Sequence, residues 1–419
     1  MTRFTLSSFG ERYAGHTGIS ELMSDISSPP SDPSQPLCML GGGNPAIIPE
    51  LSQAWAEATR ATLEDPGFRR LVGAYDSHIG PEGFRDALAE RFANDYGWPI
   101  SRRNVGLVNG SQLAVFYLVN MFSGAFPDSS RKHILLPLAP EYVGYADQGL
   151  DPDCFRSQRP TIEMLGAHSF KYRVDFNALR TDESTGALLV SRPTNPSGNV
   201  VTDAEVLHLA AMAREANVPL ILDNAYGLPF PGILFAEATP IWNEDIILCM
   251  SLSKIGLPAL RTGIVIAHED VIDALAATNA IVSLATGSVG PAVAERLLRS
   301  GELLRLSREV VQPCYRAKSL RAQQIIAEAL GEMPWALHAS EGAIFLWLWL
   351  RDLPVPTREL YRRLKARNVL VLPGEHFFFG LEEDWPHARE CLRLNYAGDE
   401  ALFARGAGIL AEELRALYG

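Results

Sequence analysis

Lysine is scarce in this 419-residue chain: 32 of its 37 basic residues are arginine, and the other five are Lys132, Lys171, Lys254, Lys318 and Lys365. Any chemistry that needs a primary amine therefore has five candidates. Cysteine is equally sparse. Cys38, Cys154, Cys249, Cys314 and Cys391 show neither close pairing nor metal-like spacing, which excludes a disulfide scaffold, offers no metal site and fits a reduced compartment. No apolar run approaches the roughly 20 residues of a membrane-spanning helix. The first eighteen residues carry Arg3, Glu11, Arg12 and His16 without the apolar stretch of a leader, so the expected location is the cytoplasm. Long basic runs are missing too, and a formal net charge of -12 argues against a nucleic-acid or anionic-membrane surface. There is no internal repeat and no complete dinucleotide fingerprint in a strand-turn-helix setting, which disfavours nicotinamide and flavin folds.

What is present points to a folded α/β protein. With 47% hydrophobic residues the chain can build two, at most three, sizeable cores. An irregular approach, Ser/Pro-rich over 26–36 and ending in GGGNP at 41–45, precedes the regular pattern. Amphipathic helices are predicted at 51–65 and 84–96. Short apolar strands follow at 133–138, 186–191, 218–223, 246–251 and 263–267, with a helix at 203–216 between the second and third of them. Strands of this kind, separated by helices, indicate a mainly parallel sheet covered on both faces. Beyond residue 300 the rhythm changes: an Arg-rich helical region at about 295–330, an aromatic buried strand at 342–350, a helix at 357–367, a strand at 391–397 and a last helix at 403–418. The expected division is a large domain over 46–300 and a small domain from 301–419, with the arm 1–45 folded onto it.

Several residues carry chemistry. Lys254 lies just beyond an apolar strand, with Ser253 before it and Arg261 seven residues after it. In an open parallel sheet, ligands bind at the carboxyl ends of strands. The flanking hydroxyl and guanidinium suit a phosphate, so Lys254 is read as an amine that forms a Schiff base. Asp223 ends another strand, with Tyr226 three residues on. A carboxylate there keeps a pyridine nitrogen protonated and a phenol donates to the ring's 3-oxygen; a turn cap explains Asp223 equally well. Asn195, in the turn of SRPTNPSGNV, can donate to the same oxygen and gains weight only beside Asp223 and Lys254. Gly110, Ser111 and Gln112 open an apolar helix, whose free N–H groups and Ser111 hydroxyl make a phosphate cradle; a plain N-cap is the alternative for Ser111. Tyr142 follows a strand, where its ring either stacks on a flat cofactor or packs in the core. Arg393 interrupts an apolar strand, CLRLNYA. Its planar fork matches a carboxylate, with an internal salt bridge as the other reading.

Together, Asn195, Asp223, Tyr226, Ser253, Lys254, Arg261 and Arg393 resemble the class I/II pyridoxal-phosphate-dependent aminotransferases of fold type I. The likeness spans essentially the whole chain and includes GGGNPAIIPE, LVNGSQ, LAPEYVGYAD, SRPTNPSGNV, LDNAYGLPFPG and EGAIFLWLWL. It implies a large domain with a mainly parallel seven-stranded sheet sandwiched by helices, a smaller α/β domain, and pyridoxal 5′-phosphate as cofactor. It implies that Lys254 carries the cofactor, Asp223 pairs with the pyridine nitrogen, and Tyr226 and Asn195 contact the 3-oxygen. The phosphate would meet Gly110, Ser111, Gln112, Ser253 and Arg261; Tyr142 would stack on the ring, and Arg393 would bind the substrate carboxylate. Gly43 resembles the family's glycine near the substrate. Tyr75 resembles the tyrosine that reaches the phosphate of the neighbouring subunit, which implies a homodimer with shared sites. The implied substrates are valine or alanine with pyruvate or 2-oxoisovalerate; the rival readings are a β-lyase, an aminotransferase for other neutral or aromatic amino acids, and a binding module that has lost turnover. Two departures stand out: the offset of seven from Lys254 to Arg261 is shorter than in many relatives, and Ala259 replaces a common glycine, so this loop is expected to follow a different path.

Overall fold

The computed structural model describes residues 4–15, 20, 24–25, 28 and 30–419. Parts of the expected N-terminal arm, including positions 26, 27 and 29 of the Ser/Pro-rich stretch, lie outside the described residues. In chain order the strands are β1 (Cys38–Met39), β2 (Val105–Val108), β3 (Gly124–Ala125), β4 (Arg131–Leu136), β5 (Phe155–Ser157), β6 (Thr161–Gly166), β7 (Ser169–Arg173) and β8 (Thr185–Ser191). Then come β9 (Leu220–Asp223), β10 (Ile246–Ser251), β11 (Gly263–Ile266), β12 (Trp335–His338), β13 (Phe345–Leu350), β14 (Val369–Leu370), β15 (Leu372–Pro373) and β16 (Cys391–Asn395).

The larger sheet runs β2-β11-β10-β9-β8-β4-β3, with β5 beside β4. Its centre, β4-β8-β9-β10, is parallel, and β11 is antiparallel to both its neighbours. The eighth strand, beyond the expected seven, is the two-residue β3. Strands β8, β9 and β10 are buried along their whole length. Alternate side chains feed opposite layers, Leu188 and Val190 into one core and Ala187 and Leu189 into the other. That two-sided burial is why these segments read as unbroken apolar runs. The helix Asp203–Glu215 covers the sheet after a capping box in which Thr202 and Glu205 satisfy each other's backbone N–H groups.

The second sheet runs β15-β16-β13-β12-β7-β6. Its β6–β7 hairpin lies inside the stretch 46–300 expected to form the large domain, yet β7 pairs in parallel with β12 through Leu337↔Ser169 and His338↔Phe170. Phe170 and Tyr172 of β7 are fully buried against His338 and His387, so packing draws this hairpin to the C-terminal strands. A division at residue 300 therefore does not follow the sheets at this hairpin. The Arg-rich helical region is not continuous either. It comprises Val289–Arg299, Glu302–Leu306, a π-helical turn Ser307–Val311 and Gln312–Leu330, broken where Gly301 takes φ 79. All five cysteines are unpaired. Among the described residues no helix is long and apolar enough to cross a membrane.

Candidate active site

Parallel strands put their carboxyl ends on one edge, and Ser191 of β8, Asp223 of β9 and Ser251 of β10 all stand there. They border a cavity of about 440 Å³ that also receives side chains from the second sheet and the 39–44 segment. Eleven of the thirteen expected site residues line it: Gly43, Ser111, Gln112, Tyr142, Asn195, Asp223, Tyr226, Ser253, Lys254, Arg261 and Arg393. Gly110 adjoins the wall behind Arg261. Tyr75 is not brought in; it is 84% exposed.

Lys254 sits in the tight turn Ser253–Ile255 that follows β10, and its Nζ donates to the Gly43 carbonyl at 2.7 Å. Burial, reinforced by the Arg393 and Arg261 cations, pulls its amine down to about 8. Asp223 is buried. Its Oδ1 accepts from Ala225 N–H at 2.9 Å and its Oδ2 from the Tyr145 hydroxyl. Burial pushes its carboxyl up, while Tyr145, the Ala225 N–H and Lys254 pull the other way. The Tyr226 ring lies 5.4 Å from Lys254 Nζ, and burial drives its hydroxyl far from ionisation.

Arg393, on β16, is 2% exposed and packs 4.0 Å from the Phe345 ring centroid. Its Nη1 donates to Asn195 Oδ1 and its Nη2 to the Gly41 carbonyl, both at 2.7 Å, while its buried Nε has no partner among the described residues. Burial lowers its guanidinium only to about 10, so it stays charged near neutrality. Two of its five N–H groups are thus committed to Asn195 and Gly41.

At the far end, Gly110 precedes the helix Ser111–Phe122 with φ 96. A Cβ there would lie 2.1 Å from Arg261 Nη2, so only glycine lets the guanidinium rest on the helix start. Arg261 itself takes φ 48, the left-handed conformation, directly after the turn Pro258–Leu260. Arg261 nonetheless lines the cavity. Gln112 does not point its amide freely at the cavity: Nε2 donates to the Gly144 carbonyl at 2.9 Å.

This donor set fits pyridoxal phosphate. A buried carboxylate lies at one end, a cation and free helix N–H groups at the other, with a depressed lysine amine between them and an aromatic wall in Tyr142. The family profile for aminotransferase class I and II matches residues 43–410. The chain belongs to this family. Its members work with pyridoxal 5′-phosphate on amino acids and keto acids. The chain is 48% identical over 410 residues, 98% of each protein, to the valine–pyruvate aminotransferase of Escherichia coli K12. It matches the crystal structure of valine–pyruvate aminotransferase AvtA from Salmonella typhimurium LT2 with 46% identity and a TM-score of 0.87, covering 96% of this chain and 99% of that one. A further solved relative, from Psychrobacter arcticum 273-4, is 42% identical with a TM-score of 0.95 over 99% of both chains. The enzyme is a fold type I aminotransferase.

Sequence reasoning missed three groups at this site. Tyr145 bonds Asp223 directly. Glu141, fully buried and raised to about 8 mainly by burial, accepts from Ser191 N–H and hydroxyl. Met39 lines the cavity, between buried Cys38 and Leu40. The available signal was the spacing in PEYVGY, a second tyrosine three residues after the first.

Proposed function

We propose that this enzyme transfers the amino group between L-valine or L-alanine and the keto acids pyruvate or 2-oxoisovalerate. The observation that carries the reading is the convergence of Lys254, Asp223 and Arg393 on one cavity, in a chain so similar to valine–pyruvate aminotransferases. When bound, the cofactor supplies the electron sink that makes the substrate Cα–H acidic. Lys254 would hold the cofactor and, as a free amine, would move a proton at the substrate Cα; an amine whose midpoint its surroundings lower to about 8 suits that work. Asp223 keeps the ring nitrogen protonated. Arg393 accepts the substrate carboxylate on its remaining N–H groups and so fixes the Cα–H bond relative to Lys254. Asn195 and Tyr226 serve the ring's 3-oxygen, with Asn195 Oδ1 already taken by Arg393 so that its amide NH₂ is left to donate. Tyr142 flanks the ring. Gly110, Ser111, Gln112, Ser253 and Arg261 hold the phosphate, and the Gly43 carbonyl faces the substrate.

The active unit in this proposal is a homodimer in which Tyr75 serves the neighbouring subunit's phosphate. Its 84% exposure, with Ile47 and Ile281 exposed to 90% and 86%, supports this. A reduced compartment, the cytoplasm, suits five unpaired cysteines.

The test follows amino-group exchange between L-valine and pyruvate, with ammonia release from a β-substituted alanine as the competing outcome. Alanine and 2-oxoisovalerate should accumulate together, and Lys254→Ala should abolish both products and the absorption signature of the lysine-linked cofactor. Ammonia without exchange would replace the reading with a β-lyase.

A further inference from the structure

The turn that carries Tyr142 contributes more than a ring to the cavity wall. Tyr145 ends the short helical turn Val143–Tyr145, is 1% exposed, and meets the Tyr142 ring edge-on at 5.2 Å. Gly144 between them has no room for a side chain, since a Cβ would lie 2.3 Å from the Tyr142 ring. The turn is tied to two strand ends at once. Glu141 accepts from Ser191 N–H at 2.8 Å and from its hydroxyl at 2.6 Å at the end of β8. Tyr145 donates to Asp223 at the end of β9, and Ser191 and Asp223 are partners in the ladder.

Asp223 is 7% exposed, and its hydrogen bonds come from Tyr145 and one backbone N–H. Burial favours the neutral carboxyl, and the two donors favour the charged one. The Tyr145 hydroxyl is itself driven well above its ordinary range, chiefly by burial and next by Asp223, so it never gives up its proton near neutrality. It is a permanent donor. One hydrogen bond to a charged acceptor moves a protonation equilibrium by roughly ten- to a hundredfold, enough to decide the state of a buried carboxyl.

We propose that Tyr145 is a positioning residue for the transfer reaction, its hydroxyl keeping Asp223 ionised and aimed at the pyridine nitrogen of the cofactor. The proposal rests on the reading that Asp223 meets that nitrogen. It gives a purpose to the second tyrosine of PEYVGY. A tyrosine in this place also supplies a donor that does not titrate across the working range, unlike an imidazole.

The experiment measures equilibrium binding of pyridoxal phosphate, and of its 1-deaza analogue with C–H in place of the ring nitrogen, to the full-length apoprotein and to Tyr145→Phe and Asp223→Asn. The unaltered protein should prefer pyridoxal phosphate, and Asp223→Asn should lose that preference. Tyr145→Phe should bind pyridoxal phosphate about tenfold more weakly while its affinity for the analogue stays within about twofold. A merely structural role would weaken both ligands together. That result, or no loss for either, overturns the proposal. An unaltered protein without preference would instead remove the Asp223 assignment on which it rests. Should Tyr145→Phe fail to fold, Tyr145→Leu, also without the hydroxyl, carries the same comparison and the same expectations.

Discussion

At the scale of single residues, the site was readable where a charged side chain stands at a strand end, whereas the uncharged Ser191 and Ser251 at neighbouring strand ends were not singled out. Lys254 and Asp223 announce themselves because an apolar run stops and a charged group follows, and the cavity forms where those runs stop. Tyr145 was not readable, because its contact with Asp223 depends on a turn that brings residues 78 positions apart together. Tyr75, expected at the phosphate of the neighbouring subunit, is 84% exposed in the single chain. The environment of Lys254 makes a direct prediction. The neutral amine is the form that attacks an aldehyde, and burial with two nearby guanidinium groups brings its midpoint down to about 8. Capture of pyridoxal phosphate by the apoprotein should therefore speed up as pH rises through 8 and level off roughly one unit above it. A rate still climbing steeply near the ordinary lysine value of 10.5, followed by stopped-flow absorbance, would contradict this.

At the scale of elements, the parallel centre of the large sheet was legible because both faces of β8, β9 and β10 are buried, which leaves little room for polar residues. The β6–β7 hairpin was not. Five of the six residues of β6 are exposed, so its place in the second sheet comes through β7, which pairs with β12 and buries Phe170 and Tyr172. The helix Ser111–Phe122 was legible, but the reason for the glycine before it appears only with Arg261 in place. Gly110→Ala would combine a strained φ 96 with a Cβ 2.1 Å from Arg261 Nη2, displacing the guanidinium from the helix start. Affinity for pyridoxal phosphate should fall by roughly tenfold or more, while affinity for unphosphorylated pyridoxal should be nearly unchanged. Isothermal titration with both ligands separates the two, and parallel losses would place the defect elsewhere.

At the scale of the whole molecule, the proposed dimer yields a prediction that needs two copies. Tyr75→Phe should leave the sedimentation mass at that of a dimer but raise the dissociation constant of pyridoxal phosphate several-fold, by about one lost hydrogen bond. A monomer in the unaltered protein, or undiminished affinity in the variant, would refute the shared site. The arrangement of Arg393 has a consequence for how the chain is made. Its two anchors, Asn195 and Gly41, lie 198 and 352 residues before it, and β1 at residue 38 waits for β14 at residue 369 as its partner. Until residue 393 has been made, a growing chain that already contains Lys254 lacks this guanidinium, and Gly41, Asn195 and Cys38 wait for partners far behind them. The carboxylate grip proposed for Arg393 therefore depends on contacts that close only after the segment carrying Lys254 has been made.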